Sequence, residues 1–295
     1  MRKAMQEVVA STITGHTDTA LLLIDIGVWP FRDLLKQYPE RVKNIGIFEP
    51  GTISIAAGLS LSGITPVVYG ISPFIVQRAL EQLKLDFIYQ NTGGNFITTG
   101  ASYDFSTLGY SHYCPEDVAT LYQLPGMEII TPGTPDQFRK LWGVYALDGR
   151  ASYFRMTDYC NKKEVDVEPG KAVVLKKGSK GMVIAVAETL DPVWSAVQDE
   201  DVTVLYFTTV QPFDSAALQK LYAPNIFVCS PFYEGTFAPL IVSALQGQKV
   251  LIREIGVPRK VLRNYGTFQE KNDYCGLTAE KIRVEFKKFL EDPTL

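Results

Sequence analysis

The stretch that decides the fold is Asn44-Ile-Gly-Ile-Phe-Glu-Pro-Gly-Thr-Ile-Ser-Ile-Ala-Ala-Gly-Leu-Ser60. Apolar Ile45 and Ile47 predict a strand that ends at Glu49, and the small residues of 54–60 predict a helix that other backbone can approach closely. A carboxylate delivered by a strand to such a helix can hold a bound group. The same pattern also fits a plain strand-to-helix turn, in which Glu49 faces the positive end of the helix dipole.

Composition and charge restrict the class of protein. The chain has 295 residues, 46% of them hydrophobic and 21% charged, which is typical of one large or two ordinary globular domains. A formal net charge of −3 indicates neither a nucleic-acid nor an acidic-membrane partner. No apolar run reaches the ~18 residues of a membrane span, and residues 1–6 lack the apolar core of a signal peptide.

The cysteines and histidines narrow the chemistry further. The 4 cysteines are widely spaced without a Cys-x-x-Cys pair, which suits a reducing compartment, so we expect a cytoplasmic protein. The 2 histidines, His16 and His112, are too few for a histidine-rich metal site, and we assign no metal ligand to this chain.

Short apolar segments alternate with helical ones through residue 160. Strands are predicted at Thr19–Ile26, Arg41–Phe48, Thr65–Tyr69, Leu85–Tyr89, Phe96–Thr99, Met127–Thr131 and Ala151–Met156. Helices are predicted at 1–13, Phe31–Tyr38, Thr52–Leu61, Ser72–Leu83, Pro115–Tyr122 and Thr134–Ala146, the last with a Thr cap. Such alternation predicts a doubly wound α/β domain, 1–160, with a mainly parallel sheet. Ligands of such sheets collect at the carboxyl ends of the strands.

The character of the chain changes after residue 160. Residues 161–179 are polar and rich in Lys and predict a linker with a small hairpin. From residue 180 to 295 the alternation resumes, which predicts a second, smaller α/β domain. Its strands are expected at Gly181–Ala187, Val202–Tyr206, Ile226–Cys229 and Val250–Glu254, and its helices at Pro192–Val197, Asp214–Leu221, Gly235–Leu245 and Thr278–Leu290.

Two side chains outside the opening stretch could carry chemistry. His112 lies in a long Gly/Ser/Tyr-rich loop, 100–115, where it could transfer protons near neutral pH. It could equally be a capped or solvent-exposed loop histidine. Phe74 lies in the first turn of a helix, where it could stack on a planar ring or simply belong to the core.

These residues together resemble the transketolase family. Ile47-Phe-Glu-Pro-Gly-Thr-Ile-Ser-Ile-Ala-Ala-Gly-Leu-Ser60 is similar to the pyrimidine-domain segment of transketolases and deoxyxylulose-phosphate synthases. Ser72-Pro-Phe74 with Arg78-Ala-Leu-Glu-Gln82 resembles the family's aromatic helix. Gly109-Tyr-Ser-His-Tyr-Cys-Pro-Glu-Asp-Val-Ala119 resembles Gly-Pro-Thr-His-Gln-Pro-x-Glu-x-x-Ala, Tyr153-Phe-Arg155 matches a strand that ends in Arg, and the second domain resembles the transketolase C-terminal domain.

The resemblance implies thiamine diphosphate as cofactor and a sugar as substrate. Glu49 would hydrogen-bond the pyrimidine N1′ atom and act in catalysis with His112, while Phe74 would stack on the pyrimidine. Further cofactor contacts are implied for Asp25, Ile71 and Arg78. Substrate contacts are implied for Arg155, Arg2, Ser111 and His112, the two arginines as anion ligands.

The family's Gly-Asp-Gly motif, which binds diphosphate through Mg²⁺, does not occur in this sequence. We therefore expect a partner, an N-terminal transketolase subunit that supplies the diphosphate and Mg²⁺ site. We also expect self-association of this chain through both domains, in a heterodimer or heterotetramer. Thr99-Gly100-Ala101-Ser102 and Leu108 depart from the family's sugar-recognition residues, which favours a non-standard sugar acceptor.

Three functions stay open at this point. The first is the C-terminal subunit of a transketolase, which transfers a two-carbon ketol unit between sugars. The second is a β-type subunit of a 2-oxo acid dehydrogenase or of an enzyme like deoxyxylulose-phosphate synthase. The third is a non-catalytic assembly subunit.

Overall fold

Two mainly parallel sheets organise the computed structural model, which describes residues 1–292. Residues 293–295, the end of the predicted second domain, lie outside the described residues. Within the described part of the chain the strands are β1 (Thr19–Leu23), β2 (Val42–Asn44), β3 (Thr65–Ile71), β4 (Gly94–Thr99), β5 (Glu128–Ile130), β6 (Ala151–Arg155), β7 (Val173–Lys176), β8 (Met182–Val186), β9 (Thr203–Phe207), β10 (Thr209–Gln211), β11 (Asn225–Tyr233) and β12 (Leu251–Val257).

The helices lie between these strands. They are α1 (Arg2–Gly15), α2 (Arg32–Gln37), α3 (Glu49–Leu61), α4 (Leu80–Gln82), α5 (Asp117–Leu121), α6 (Pro135–Tyr145), α7 (Leu190–Val197), α8 (Ser215–Lys220), α9 (Ala238–Ala244), α10 (Phe268–Tyr274) and α11 (Ala279–Glu291). Two π-helical turns, Phe74–Arg78 and Leu83–Ile88, flank α4. Among residues 1–292, no helix combines the length and the apolar character needed to cross a bilayer.

The first sheet has the order β10-β5-β6-β4-β3-β1-β2 and the second the order β12-β11-β8-β9-β7. Only the outer pairs β10–β5 and β7–β9 are antiparallel among the pairings in residues 1–292. The central strands are buried along their whole length because helices cover both faces of each sheet. This is the doubly wound, mainly parallel architecture that the alternating sequence pattern predicts.

Local patterns explain most of the helices. In α1, Met5, Val9 and Ile13 recur every four residues and are buried, so one face of the helix packs on the sheet. In α6, the Thr134 hydroxyl accepts a hydrogen bond from the backbone N–H of Gln137, which confirms the predicted cap.

Two predicted strands differ from the structure. Leu85–Tyr89 is helical rather than a strand, because the buried Leu83 and Phe87 are four residues apart on one helical face. The strand predicted to reach Phe48 ends at Asn44, because Gly46 adopts a positive φ of 83° and turns the chain away from the sheet. Glu49 is therefore the first residue of α3 and not the last of a strand.

The chain between the two sheets also differs from the prediction. In place of a small hairpin, residues 161–179 contain β7, which pairs with β9 at the edge of the second sheet. Strand β10 follows β9 directly and crosses to pair with β5 in the first sheet. The sequence analysis missed β10 and α10.

Candidate active site

Glu49 is a buried carboxylate at the start of a helix. It is the first residue of α3 and only 3% exposed, and Pro50 follows it in the first turn, where a missing N–H costs nothing. The helix begins with the backbone N–H and the hydroxyl of Thr52 donating to the carbonyl of Phe48, at 2.9 and 2.8 Å. A carboxylate here interacts favourably with the positive end of the helix dipole.

The nearest cation to this carboxylate is Arg78. Its Nη1 atom lies 3.1 Å from each carboxylate oxygen of Glu49. The Arg78 side chain is 48% exposed, so the pair is half open to water and contributes about 0–1 kcal/mol to stability. The structure thus brings together two residues that the sequence assigned to cofactor binding.

Phe74 contacts both Arg78 and His112. The guanidinium carbon of Arg78 lies 3.9 Å from the centroid of the Phe74 ring, and the His112 ring meets Phe74 edge-on at a centroid distance of 5.2 Å. Phe74 and Arg78 form the two ends of one π-helical turn, a feature that occurs most often at functional sites. The Phe74 ring is half-buried and contacts two other residues of the predicted site rather than belonging only to the core.

The loop that carries His112 is held from both ends. Near its ends, the Cys114 N–H donates to the Ser102 carbonyl at 2.7 Å. A short 3₁₀ turn, Tyr110–His112, presents the imidazole, whose Nδ1 lies 3.0 Å from the hydroxyl oxygen of the exposed Ser111. Ser111 thus engages one of the two ring nitrogens of His112.

Arg2 approaches the same region from α1. It forms an ion pair with Asp158 at 2.5 Å, and its guanidinium lies 5.5 Å from the centroid of the Phe105 ring. Phe105 in turn lies 6.3 Å from the His112 ring. Arg2, His112, Phe74, Arg78 and Glu49 therefore form one continuous series of contacts, with Phe105 as the link.

Asp25 and Ile71 lie at the same edge of the first sheet, beyond the ends of β1 and at the end of β3. Asp25 has a positive φ of 52°, an uncommon conformation for a residue with a side chain, and its carboxylate accepts a hydrogen bond from Asn44 at 3.2 Å. This bond joins the ends of β1 and β2. The structure gives neither residue a contact with the Glu49 pair.

Arg155 has a different environment from the one predicted for an anion ligand. It is 1% exposed, and all three of its guanidinium nitrogens are hydrogen-bonded, to Asp117, to Glu188 and to the Ser102 hydroxyl. Burial opposes the charge, but Glu188 and Asp117 together raise the pKa of Arg155 above its ordinary value. Burial also raises the pKa of Asp117. Arg155 is thus fully engaged within the chain, and we leave it out of the proposed substrate contacts.

The sequence analysis did not single out Gln77 and Glu116 as site residues. The Gln77 amide donates to the Glu116 carboxylate, which ties the π-helical turn of Phe74 to the His112 loop. Burial raises the pKa of Glu116. Glu116 lies in the quoted 109–119 motif and Gln77 directly precedes Arg78, so their polar types and positions could have indicated this bond. Phe105 gave no signal beyond being an aromatic residue in the long loop.

Exposed apolar side chains flank Glu49 in the sequence and follow it on α3. Ile47 and Phe48 precede it, and Ile55 follows on α3; they are 71%, 58% and 45% exposed. Leu85 is also exposed, on the π-helical turn whose Asp86 accepts a hydrogen bond from Ser54 at 2.6 Å. We call Ile47, Phe48, Ile55 and Leu85 the apolar patch. Contiguous exposed apolar groups of this kind mark interaction surfaces.

Two further observations concern ligands. Among residues 1–292, no group of three or more His, Cys, Asp or Glu is placed to hold a metal ion. A cavity of about 290 Å³ lies between the two sheets, lined by Ser102, Glu188 and Asn272 among others, on the Arg155 side rather than at Glu49.

Comparisons with known proteins identify the class of this protein and then its family. The fold is that of a solved chain described as "Split gene transketolase, inactive beta4 tetramer", with a TM-score of 0.84 at 21% identity over 98% of this chain and 97% of that one. The family model for the transketolase pyrimidine-binding domain matches residues 1–158. The chain belongs to the transketolase family, and the predicted family and fold class are confirmed.

The relatives fall into two lengths. An uncharacterized 33.6 kDa protein in the fasciation locus of Rhodococcoides fascians is 34% identical over 95% of this chain and 93% of its own length. One of the named subunits of the apulose-4-phosphate transketolase of Phocaeicola vulgatus is 29% identical over 87% of each chain. The 1-deoxy-D-xylulose-5-phosphate synthase of Carboxydothermus hydrogenoformans is 28% identical over 96% of this chain but only 46% of its own length.

Proposed function

We propose that this chain is the pyrimidine-side subunit of a split, thiamine diphosphate-dependent transketolase that transfers a two-carbon ketol unit between sugars. The observation that carries the proposal is the buried Glu49 carboxylate, which faces a planar cation that is itself stacked on Phe74. A site that already holds a planar group between an aromatic ring and a carboxylate has the shape and donor set that an aminopyrimidine ring needs. The residues present therefore fit the pyrimidine half of the cofactor.

Each residue has a defined role in this proposal. Thiamine diphosphate, when bound, supplies the centre that stabilises a carbanion. Glu49 would hold the ring nitrogen N1′ by a hydrogen bond, which is strong because the carboxylate is removed from water. Phe74 would stack on the ring. His112, positioned by Ser111, would give or accept a proton at the substrate carbonyl oxygen.

The diphosphate and its Mg²⁺ would be held by another polypeptide. The sequence lacks the Gly-Asp-Gly motif that the family uses for this purpose, and the longer synthases align with this chain over only 46% of their length. The apolar patch beside Glu49 would bind that partner, so that the cofactor lies between two chains. Two relatives are each named as one subunit of an apulose-4-phosphate transketolase, which supports a partnered enzyme, and a tetramer with two copies of each chain is the natural symmetric assembly.

The acceptor is proposed to be a non-standard sugar. Gly100, Ala101 and Leu108 replace polar residues that the family uses to recognise sugars, and the same two relatives carry the name of apulose 4-phosphate. Arg2 is the remaining cation of the predicted substrate set; its guanidinium lies over Phe105, which also neighbours His112. We propose that it binds the anionic end of the substrate.

Reconstitution tests the proposal. The chain is combined with a transketolase N-terminal subunit from the same organism, thiamine diphosphate and Mg²⁺, and ketol transfer is followed by mass spectrometry of the sugar phosphates. We expect transfer only when both subunits are present. The absence of any cofactor-dependent transfer with or without the partner would overturn the function. Ribose 5-phosphate and xylulose 5-phosphate as the best pair would overturn the non-standard acceptor alone.

A second candidate is an enzyme that decarboxylates its donor, as a deoxyxylulose-phosphate synthase does. The 28–31% identity to several such synthases favours it as the alternative. Release of CO₂ from pyruvate in the same reconstitution would distinguish it, because ketol transfer between sugars releases none.

A further inference from the structure

The Arg78 guanidinium fills the gap between the Phe74 ring and the Glu49 carboxylate. Its central carbon is 3.9 Å from the ring centroid, which is a stacking distance, and Nη1 is 3.1 Å from both carboxylate oxygens. Guanidinium is planar, stacks on aromatic faces and donates hydrogen bonds in its own plane. It therefore satisfies the same two neighbours that an aminopyrimidine would use.

We propose that Arg78 is a displaceable plug of the pyrimidine site. The proposal rests on the proposed function. The pyrimidine ring of the cofactor and the Arg78 guanidinium would compete for one position, beside the Phe74 ring and the Glu49 carboxylate. A ring that stacks on the covered face of Phe74 and hydrogen-bonds Glu49 cannot enter until Arg78 moves. The His112 ring is a second neighbour of Phe74, at a centroid distance of 5.2 Å and an interplanar angle of 68°.

The environment of Arg78 suits a group that moves. Its side chain is 48% exposed, and Nη1 is its single hydrogen-bonded nitrogen among the contacts of residues 1–292. Arg155 provides the contrast within the same chain, since it is 1% exposed and bonded through Nε, Nη1 and Nη2. Arg155 is fixed, whereas Arg78 can rotate into solvent by giving up one half-exposed ion pair and one ring contact.

The plug has a consequence for the chain on its own. While Arg78 is in place, the buried Glu49 has a counter-ion and the Phe74 face is covered. Cofactor binding must replace both contacts, so the free chain holds the pyrimidine less tightly than an open site of the same shape would.

The test uses the isolated full chain and the probe 4-amino-5-hydroxymethyl-2-methylpyrimidine, which carries the cofactor's pyrimidine but no diphosphate. Calorimetry or ligand-observed NMR gives its dissociation constant. We expect Arg78→Ala to bind the probe about 2- to 30-fold more tightly than the unmodified chain, the combined effect of losing one half-exposed ion pair and one cation–π contact. Arg78→Lys keeps the charge but not the plane and should fall between, while Glu49→Gln should bind less tightly.

Arg32→Ala is the matched control. Arg32 is also stacked on an aromatic ring, with its guanidinium 4.4 Å from Trp29, and its side chain is 44% exposed. This variant should leave the affinity for the probe unchanged. An equal gain in Arg32→Ala and Arg78→Ala would overturn the plug, because the gain would then be a general effect of removing surface charge.

A second measurement needs no ligand. A double-mutant cycle of Arg78→Ala and Glu49→Gln on the free energy of unfolding should show a favourable coupling, and additive effects would overturn the resting pair. Probe binding that is equal or weaker in Arg78→Ala would overturn the plug while leaving the proposed function intact. Failure of every variant to bind the probe, together with failure of the reconstituted pair to bind thiamine diphosphate, would overturn the function itself.

Discussion

Arg155 and Glu188 join the two sheets. Arg155 is the last residue of β6 in the first sheet, and its Nη1 donates to both carboxylate oxygens of Glu188, at 3.0 and 2.9 Å. Glu188 is the second residue after β8 of the second sheet and lies in a short turn that begins at Ala187, whose φ is 54°. The uncommon backbone conformation of Ala187 thus occurs where the chain turns to place the Glu188 carboxylate against the buried Arg155.

Replacing Arg155 should destabilise the whole chain. Arg155→Met leaves the Asp117 and Glu188 carboxylates without their counter-ion, and breaking a buried ion pair in this way costs about 3–5 kcal/mol. Urea unfolding followed by circular dichroism measures the loss. Arg139→Met, which removes the exposed ion pairs to Glu7 and Asp136, is the control and should change stability by about 0–1 kcal/mol. Equal effects of the two variants would contradict the fixed role of Arg155.

Glu49→Ala should abolish most of the activity of the reconstituted enzyme while the chain still folds. The carboxylate is proposed to hold the pyrimidine nitrogen through which a proton moves, and groups in such roles contribute roughly 10²–10⁴-fold to the rate. Steady-state kinetics with both subunits gives the loss, and circular dichroism reports on folding. Turnover equal to that of the unmodified protein would remove Glu49 from the mechanism.

His112→Ala should lower kcat by roughly 10²–10⁴-fold if the imidazole transfers a proton at the substrate. The dissociation constant for thiamine diphosphate should change little, because His112 contacts the Phe74 ring and not the Glu49 carboxylate. Ser111→Ala tests the positioning of the ring and should cost far less. A change in cofactor affinity without a change in kcat would contradict the assignment.

The apolar patch should be required for assembly with the diphosphate-binding subunit. Phe48→Asp places a charge in a surface that we expect to lose its water when the partner binds. The dissociation constant of the two subunits should therefore rise more than tenfold, as for a central interface residue. Analytical ultracentrifugation of the mixed subunits measures this affinity. Val242→Asp on α9, at a residue that is 54% exposed and remote from Glu49 in the sequence, is the control. Loss of assembly in both variants would place the interface elsewhere.

Glu128 should give the chain a pH-dependent stability. Burial raises the pKa of Glu128 from 4.5 to about 7, although hydrogen bonding from Ser152 and the charge of Arg150 oppose this and the nearby Asp148 adds to it. Between these two values the folded chain binds more protons than the unfolded chain. The free energy of unfolding should therefore decrease as pH rises from about 4.5 to 7 through this residue.

The variant Glu128→Gln isolates this contribution. Its unfolding free energy should depend less on pH in that window than that of the unmodified chain, measured by urea titrations at a series of pH values. Glu40→Gln, at an exposed position, should follow the unmodified chain. A steeper dependence in Glu128→Gln would contradict the direction of the shift.

Much of the fold follows from local sequence patterns. Central strands such as β3 and β6 are short, apolar and bounded by turn residues, so their existence is clear from the sequence. The helix at 49–61 was also predicted, but its start was not, because only the conformation of Gly46 reveals that the chain has left the sheet before Glu49. Boundaries depend on backbone angles that residue types specify weakly.

Long-range partners explain the remaining differences. β10 has three residues and no pattern of its own, and it exists because β5 offers an unpaired edge. Likewise, the sequence placed Arg155 at the end of a strand but could not show that Asp117 and Glu188 would occupy its guanidinium. The Glu49, Phe74, Arg78 and His112 group was predicted residue by residue, yet the contact between Arg78 and Phe74 required the π-helical turn. Their roles stay predictions.

Strand β10 has a consequence for any shortened form of this protein. A polypeptide that stops near residue 160 would still contain Glu49, Phe74 and His112, but β5 would become the outermost strand with its backbone N–H and C=O groups bare. An edge strand with unpaired backbone groups can form hydrogen bonds with strands of other molecules, which leads to aggregation. Expression of the family-matched segment 1–158 by itself should therefore yield aggregates. The two sheets should be expressed together in one polypeptide, because β10 covers the edge of the first sheet.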